Sequence, residues 1–535
     1  MAPPGRSWRQ HRPAGPFDVI VIGSGLGGLV AANALARHGG RKVLVLEQHY
    51  RVGGFTHVFT RPGFEWDVGV HYVGGVGPSG PLRGLFDSLT DGALDWAPLP
   101  AVYDAIELGA QRFEFEAGAP ALLNRLAAAF PTERPALARY LELVVGTARR
   151  NQLQWASRLS RPKTLGASGV PHRLVRKPDV STRTTGEVLR ELTSNETLQG
   201  VLAGQYGDYG MPPALSAFGL HAAVVEHYLD GGFYPVGGAS RLAATLSPAI
   251  EAAGGHLAVS AEVSSLLVEG GAVTGVRMAD GAEVRAPLVI SNAGARRTFE
   301  ELVPPPHRPP DVLEQLQRVP PSSPYLCLYV GLDQSDAALG LTGTNLWLYP
   351  DAHHDENVRR FALDPSAPFP MLYVSFPSAK DPDFQRRFPG KATVQVITMA
   401  QWAWFEPWAS TRWGRRPEAY TAFKDDFTRR LLEALLHRLP QLKGHVVHAE
   451  LSTPLSTAHF SGHRRGETYG LASVPERLEL PLHVENGLRG LLLTGADVIT
   501  AGVGGAAFAG VLTAAAVLGP RVIGAVMKRG FASAV

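Results

Sequence analysis

The sequence predicts an α/β protein in which a nucleotide-binding domain, discontinuous along the chain, is joined to a mixed α+β domain. Three observations carry this. A glycine-rich turn at residues 23–28 separates an apolar strand pattern from an Ala-rich helical one. A second apolar segment, 289–294, ends in Asn292-Ala293-Gly294. A third, 491–497, ends in Thr494-Gly495-Ala496-Asp497 close to the C-terminus.

With 535 residues the chain suits several domains and a large buried core. Its 45% hydrophobic and 19% charged content reads as globular, which excludes bulk disorder. A single cysteine, Cys327, excludes a disulfide framework, and no Cys/His group has zinc spacing, so no metal is expected. A net charge of +3 gives no argument for nucleic acid as a partner. The 59 glycines lack collagen periodicity and point to close backbone approaches, as in enzymes that wrap a large cofactor.

Taken in order, residues 1–16 carry Arg6, Arg9, His11 and Arg12 among prolines and read as a short disordered basic tail. Residues 17–22 form an apolar strand that runs into Gly23-Ser24-Gly25-Leu26-Gly27-Gly28 and a helix through Ala36. A second strand, 42–46, ends in Glu47. Strand, G-x-G-x-x-G, helix, strand and acid in this order define a Rossmann-type site. Gly23 makes the tight turn, Gly25 lets the backbone approach a pyrophosphate, and Gly28 lets the helix pack on the sheet. The helix N-terminus offers N–H groups to the phosphates, and Glu47 would take ribose hydroxyls.

Glu47 leads into Arg51-Val52-Gly53-Gly54 and then Phe64-Glu65-Trp66-Asp67-Val68-Gly69. This pairing resembles the flavoproteins of the amine oxidase and phytoene desaturase superfamily. The resemblance implies FAD, with Gln48, Arg51, Gly53 and Gly54 beside it and the Gly pair close to the flavin. It also implies that the backbone of Val263 meets the adenine and that Asn292 belongs to the second nucleotide segment. Gly495 and Asp497 would lie near the ribityl chain, and the helix that opens around Gly504 would point its N-terminus at the isoalloxazine. The implied FAD domain comprises residues 17–80, 230–298 and 448–520. The substrate domain comprises 81–229 and 299–447, followed by a tail at 521–535. The apolar run 498–518 is long enough to span a bilayer, but its Ala/Gly/Thr content reads as a buried helix facing the cofactor.

Further motifs are similar to the retinol saturase branch of the carotenoid desaturase and isomerase family. They include Gly69-Val70-His71-Tyr72-Val73-Gly74, Gly231-Gly232-Phe233-Tyr234-Pro235, Phe376 through Pro382 and Trp404-Phe405-Glu406-Pro407-Trp408. The branch implies reduction of a C=C bond in a long apolar retinoid-like or carotenoid-like polyene, with hydride from reduced flavin and a proton from a nearby acid or water. Candidate catalytic groups are His71, Tyr72, His221 and Tyr228, the last two on a helix expected at 212–229, and no Asp/Glu pair stands out. Without a second strand-linked G-x-G-x-x-G, flavin electrons are expected from NAD(P)H visiting the flavin face or from a redox partner protein.

Desaturation or redox-neutral cis/trans isomerisation on the same fold is the alternative, and a non-catalytic carrier is a third. Residues 149–183 interleave Arg149, Arg150, Arg158, Arg161, Lys163, Arg173, Arg176, Lys177 and Arg183 with apolar side chains, a pattern that suits an anionic membrane surface or a solvated loop. Animal members carry a hydrophobic leader that this sequence does not show. The expectation is therefore a cytoplasmic, peripherally membrane-associated protein, and the Ala/Arg/Gly/Leu-rich composition suggests a bacterium.

Overall fold

The computed structural model describes residues 4–159 and 180–527. Its first layer is a six-stranded parallel sheet in the order Arg6–Ser7, His256–Val259, Val43–Leu46, Val19–Ile22, Leu288–Ser291, Leu491–Leu493. The central strands are continuous Val/Ile/Leu runs with every residue buried, as a parallel sheet covered on both faces requires. The Leu26–Gly39 helix follows Val19–Ile22 and packs on the Gly502–Leu518 helix. Small residues allow this contact: a Cβ on Gly510 would sit 2.6 Å from the Gly27 carbonyl oxygen. A three-stranded antiparallel sheet, Val263–Glu269, Ala272–Met278 and Glu283–Arg285, forms the connection between His256–Val259 and Leu288–Ser291.

The second layer is a seven-stranded sheet in the order Val446–Ser452, Tyr325–Leu332, Ala392–Met399, Leu372–Ser375, Asn345–Tyr349, Val102–Leu108, Gln111–Glu116. It is antiparallel except where Asn345–Tyr349 runs parallel to Val102–Leu108. The boundary expected at residue 448 falls inside its edge strand Val446–Ser452, which pairs along Tyr325–Leu332.

Several expectations need correction. Residues 4–16 are docked, not a disordered tail. Arg6–Ser7 pairs with Ala258 and Val259, Trp8 is buried, and both Trp8 and Arg12 reach Asp280. The helix expected at 212–229 spans Phe218–Tyr228, because the Leu215 and Ser216 amides both bond back to the Pro212 carbonyl and close a turn first. The C-terminal segment begins as a helix, Arg521–Met527, with Val522 and Val526 buried. Of the basic stretch, residues 160–179 lie outside the described residues. Arg158 is buried rather than surface-facing, and Arg183 pairs with Glu191 at 2.6 Å. Among the described residues no helix is long and apolar enough to cross a membrane.

Candidate functional site

The nucleotide-site residues gather at the carboxyl ends of the parallel strands, where open α/β sheets bind ligands. Ile22 leads to Gly23, Leu46 to Glu47, Ser291 to Asn292 and Leu493 to Thr494. Gly23 takes φ +89°, and a Cβ on Gly28 would sit 2.3 Å from the Gly23 carbonyl oxygen. A Cβ on Gly25 would meet the Asn292 amide nitrogen at 2.7 Å, so Asn292 faces the glycine turn across the cleft. Leu26 and Gly27 open the following helix, whose N-cap Gly25 gives no side-chain cap, so its first N–H groups remain for a ligand.

Glu47 organises this turn. Its carboxylate accepts the Ser24 amide at 2.8 Å, the Ser24 hydroxyl at 2.5 Å and the His49 amide at 2.8 Å. Burial pushes its pKa up while these hydrogen bonds pull it back. The Ser24 hydroxyl in turn accepts the Gly53 amide at 3.0 Å, which joins the Gly53-Gly54 loop to the glycine turn. Gln48 reaches the Phe460 carbonyl and accepts from Arg297, whereas Arg51 donates to the Val58 carbonyl. Val263 opens the three-stranded sheet.

Across the cleft, Asp497 accepts the Ala295 amide at 2.8 Å and the Leu471 amide at 2.9 Å. Two buried arginines hold its loop by carbonyls: Arg477 donates to Ala496 at 2.6 Å and Arg158 to Val498 at 3.0 Å. Gly495 abuts Asn292, and Gly504 faces Leu82 and His227 from the first turn of the Gly502–Leu518 helix, which again lacks a side-chain cap. The glycine cradle, the two uncapped helix starts and the flanking carboxylates fit a dinucleotide such as FAD. Glu47 and Asp497 would take its hydroxyls and the Leu26–Gly39 helix its phosphates.

Beyond the cradle lies a cluster of deeply set polar and aromatic side chains. His71, Asp208, His227, Tyr325 and Tyr469 sit deep in the protein yet keep part of their surface accessible. Tyr469 precedes Gly470, which packs on Asp497, and His227 faces Gly504, so the cluster adjoins the segment 495–504. His227 accepts the Gly74 amide at 2.8 Å, and burial lowers it to about 4.

His71, Tyr72 and Tyr228 belong to this cluster, with Tyr373 against His71 and Tyr72. Tyr72 stacks on Tyr228, and its hydroxyl lies 3.0 Å from Asp104 Oδ2 and 2.8 Å from Asp208 Oδ2. Asp104 also accepts from Asn345 and Gln205, each at 2.8 Å. Lys380 donates to the His71 carbonyl at 2.9 Å, to Ser375 at 2.7 Å and to Asn345 Oδ1. Burial brings Lys380 down to about 7, against the pull of Asp104, Asp67 and Asp208. His71 is lowered to about 3, first by burial and then by Lys380, so its ring is neutral at ordinary pH.

His221 is apart from this cluster. It is fully buried between the Tyr140 hydroxyl at 2.8 Å and the Tyr209 hydroxyl at 3.0 Å, which occupy both ring nitrogens. The expectation that no acid pair stands out is corrected by Asp104 and Asp208, which converge on one hydroxyl from distant parts of the sequence. Sequence reasoning also passed over Lys380, although it stands within the Phe376 to Pro382 motif. Among the described residues no group of His, Cys, Asp and Glu could hold a metal ion.

The family described as flavin containing amine oxidoreductase matches residues 26–518. The chain belongs to this family and is an FAD-dependent oxidoreductase. Over 523 residues it is 35% identical to the all-trans-retinol 13,14-reductase of Homo sapiens, covering 94% of this chain and 85% of that one. It is 28% identical over 499 residues to prolycopene isomerase 2 of an Oncidium hybrid cultivar, covering 89% and 77%. Putrescine oxidase shares the fold, with a TM-score of 0.63 at 15% identity, covering 94% of this chain and 99% of that one.

Proposed function

We propose that the protein saturates one C=C bond of a long apolar polyene of the retinoid or carotenoid type. The carrying observation is Tyr72, a buried phenol flanked by two carboxyls, in a chain similar over nearly its whole length to a retinol reductase. Flavin, when bound and reduced, supplies a hydride. The chain's own residues do the rest. The glycine turn, Glu47, Asn292 and Asp497 hold the dinucleotide. Aromatic walls from Tyr228, Tyr325, Tyr373 and Tyr469 favour an apolar substrate and exclude water. Tyr72 offers a proton at its hydroxyl. Flavin electrons come from NAD(P)H or a redox partner protein.

The experiment is anaerobic. Chemically reduced enzyme given all-trans-retinol or a carotenoid should yield a product heavier by two hydrogens with stoichiometric flavin reoxidation. The identity to a prolycopene isomerase favours cis/trans isomerisation as a second reading. A product of unchanged mass and altered geometry would establish that reading, and oxidised enzyme giving a product lighter by two hydrogens would establish desaturation.

Such substrates reside in bilayers, and peripheral contact with an anionic membrane through residues 149–183 belongs to the same proposal. Exposed Arg149 and Arg150 contribute within the described residues. Co-sedimentation with vesicles should rise with anionic lipid and fall with salt. Equal recovery in the supernatant with and without such vesicles at low salt would overturn it.

A further inference from the structure

The Tyr72 hydroxyl carries one proton and lies within hydrogen-bond distance of a carboxyl oxygen on each side. It can donate to one. The other contact, lone pair against lone pair if both carboxyls were ionised, holds only when the second carboxyl is itself a donor. The surroundings decide which one. Asp104 accepts from Asn345 and Gln205 as well as from Tyr72, and Lys380 is linked to it through the Asn345 amide. Burial raises the Asp104 pKa, and these hydrogen bonds together with Lys380 pull it back toward the anion. Among the described residues the Asp208 carboxyl has the Tyr72 hydroxyl as its one hydrogen-bond partner. Lys380 is the one cation among the described residues that faces Asp104, Asp67 and Asp208, and it cannot balance all three as carboxylates. A second ionised carboxyl would leave net negative charge in the interior, where burial of unpaired charge is costly.

We propose that Asp208 stores a proton for the reductive reaction and passes it through Tyr72. This rests on the reductase reading above. When the Tyr72 O–H turns from Asp104 to the substrate and breaks, its proton going to the carbon that the hydride does not take, the Asp208 O–H bond breaks and a new O–H bond forms on Tyr72. Asp208 is left as a carboxylate and recovers its proton from water through the accessible part of its surface. Asp208 is thus a positioning residue acting through Tyr72, and only Tyr72 would touch substrate.

The titration is consistent with this arrangement. Burial raises Asp208 to about 8, with Asp104 adding to the rise and Lys380 and the Tyr72 hydrogen bond opposing it. The charged groups facing it are Asp104 and Lys380. Tyr72, Tyr228, Tyr325, Tyr373 and Tyr469 complete the wall, all held above the usual tyrosine range by burial and neutral throughout.

Difference infrared spectroscopy of the FAD-loaded protein without substrate tests the store directly. Beside the band of Asp67, which burial raises to about 7, a second protonated-carboxyl component should titrate with a midpoint near 8 and be absent in Asp208→Asn. In Tyr72→Phe this component should persist with a shifted midpoint, which keeps the test informative if the Asn variant fails to fold. Single-turnover reduction should slow by about 10²-fold in Asp208→Asn and lose its alkaline limb. A component near 8 that survives in Asp208→Asn, disappears in Asp104→Asn alone, or is missing from the unsubstituted protein would overturn the proposal. If this component behaves as expected but no product heavier by two hydrogens forms, the reductase reading fails and the protonated Asp208 stands.

Discussion

Tyr72 and Tyr228 lie face to face, their ring centroids 4.0 Å apart and their planes within 8° of parallel. The stack fixes the direction in which the Tyr72 hydroxyl points, toward Asp104 and Asp208. Tyr228→Phe keeps the stack and should leave stability and reduction nearly unchanged. Tyr228→Leu should cost about 0.5–1.5 kcal/mol beyond the lost area and slow the reductive step, measured by denaturant unfolding and anaerobic single turnover.

His71 separates a structural from a proton-carrying role. Its pKa falls from 6.5 in the unfolded chain to about 3 in the fold, chiefly through burial, so the unfolded state binds the extra proton. Stability is therefore lost as pH drops from about 6.5 toward about 3. His71→Phe should remove that part of the acid sensitivity, bind FAD normally and slow reduction less than Tyr72→Phe does. Unfolding at pH 7 and pH 5, with flavin retention, checks this.

Two glycines of one motif should fail differently. Gly28→Ala drives a Cβ to 2.3 Å from the Gly23 backbone oxygen, which has no room to yield, so the protein should fold poorly or aggregate. Gly25→Ala meets a side-chain amide of Asn292 at 2.7 Å, which can swing aside. That variant should fold but release flavin more readily, as fluorescence of the freed cofactor would report.

Glu47 carries both the turn and, in the proposed site, the ribose. Glu47→Ala leaves the Ser24 and His49 amides without their acceptor, so the apoprotein should lose about 1–3 kcal/mol and FAD should bind more weakly. Titration with FAD and unfolding of apoprotein separate the two effects. Unchanged affinity would show that Glu47 serves the turn alone.

What was legible in the sequence was local. The glycine turn, Glu47 and the Thr494 to Asp497 segment each follow directly on an apolar strand, so a few consecutive residues reveal them. The acid pair is not local. Asp104 meets Asn345 only because their strands pair in parallel register, and Asp208 arrives from a short turn after a helix. His221 misleads for a similar reason, since its partners Tyr140 and Tyr209 come from other segments and make it a core residue. Arg158 reads as surface charge because nothing nearby in sequence announces the carbonyls of Leu478 and Val498 that bury it.

The docked N-terminal segment has a consequence for the protein's behaviour toward its own kind. Arg6–Ser7 and the Trp8 amide occupy the outer side of His256–Val259 and turn that strand from an open template into an interior one. Unpaired strand borders recruit other chains. The basic, proline-rich segment that took the place of a disordered tail is thus a guard against strand addition, and a chain shortened past Trp8 would offer its neighbours a ready-made border on which to polymerise.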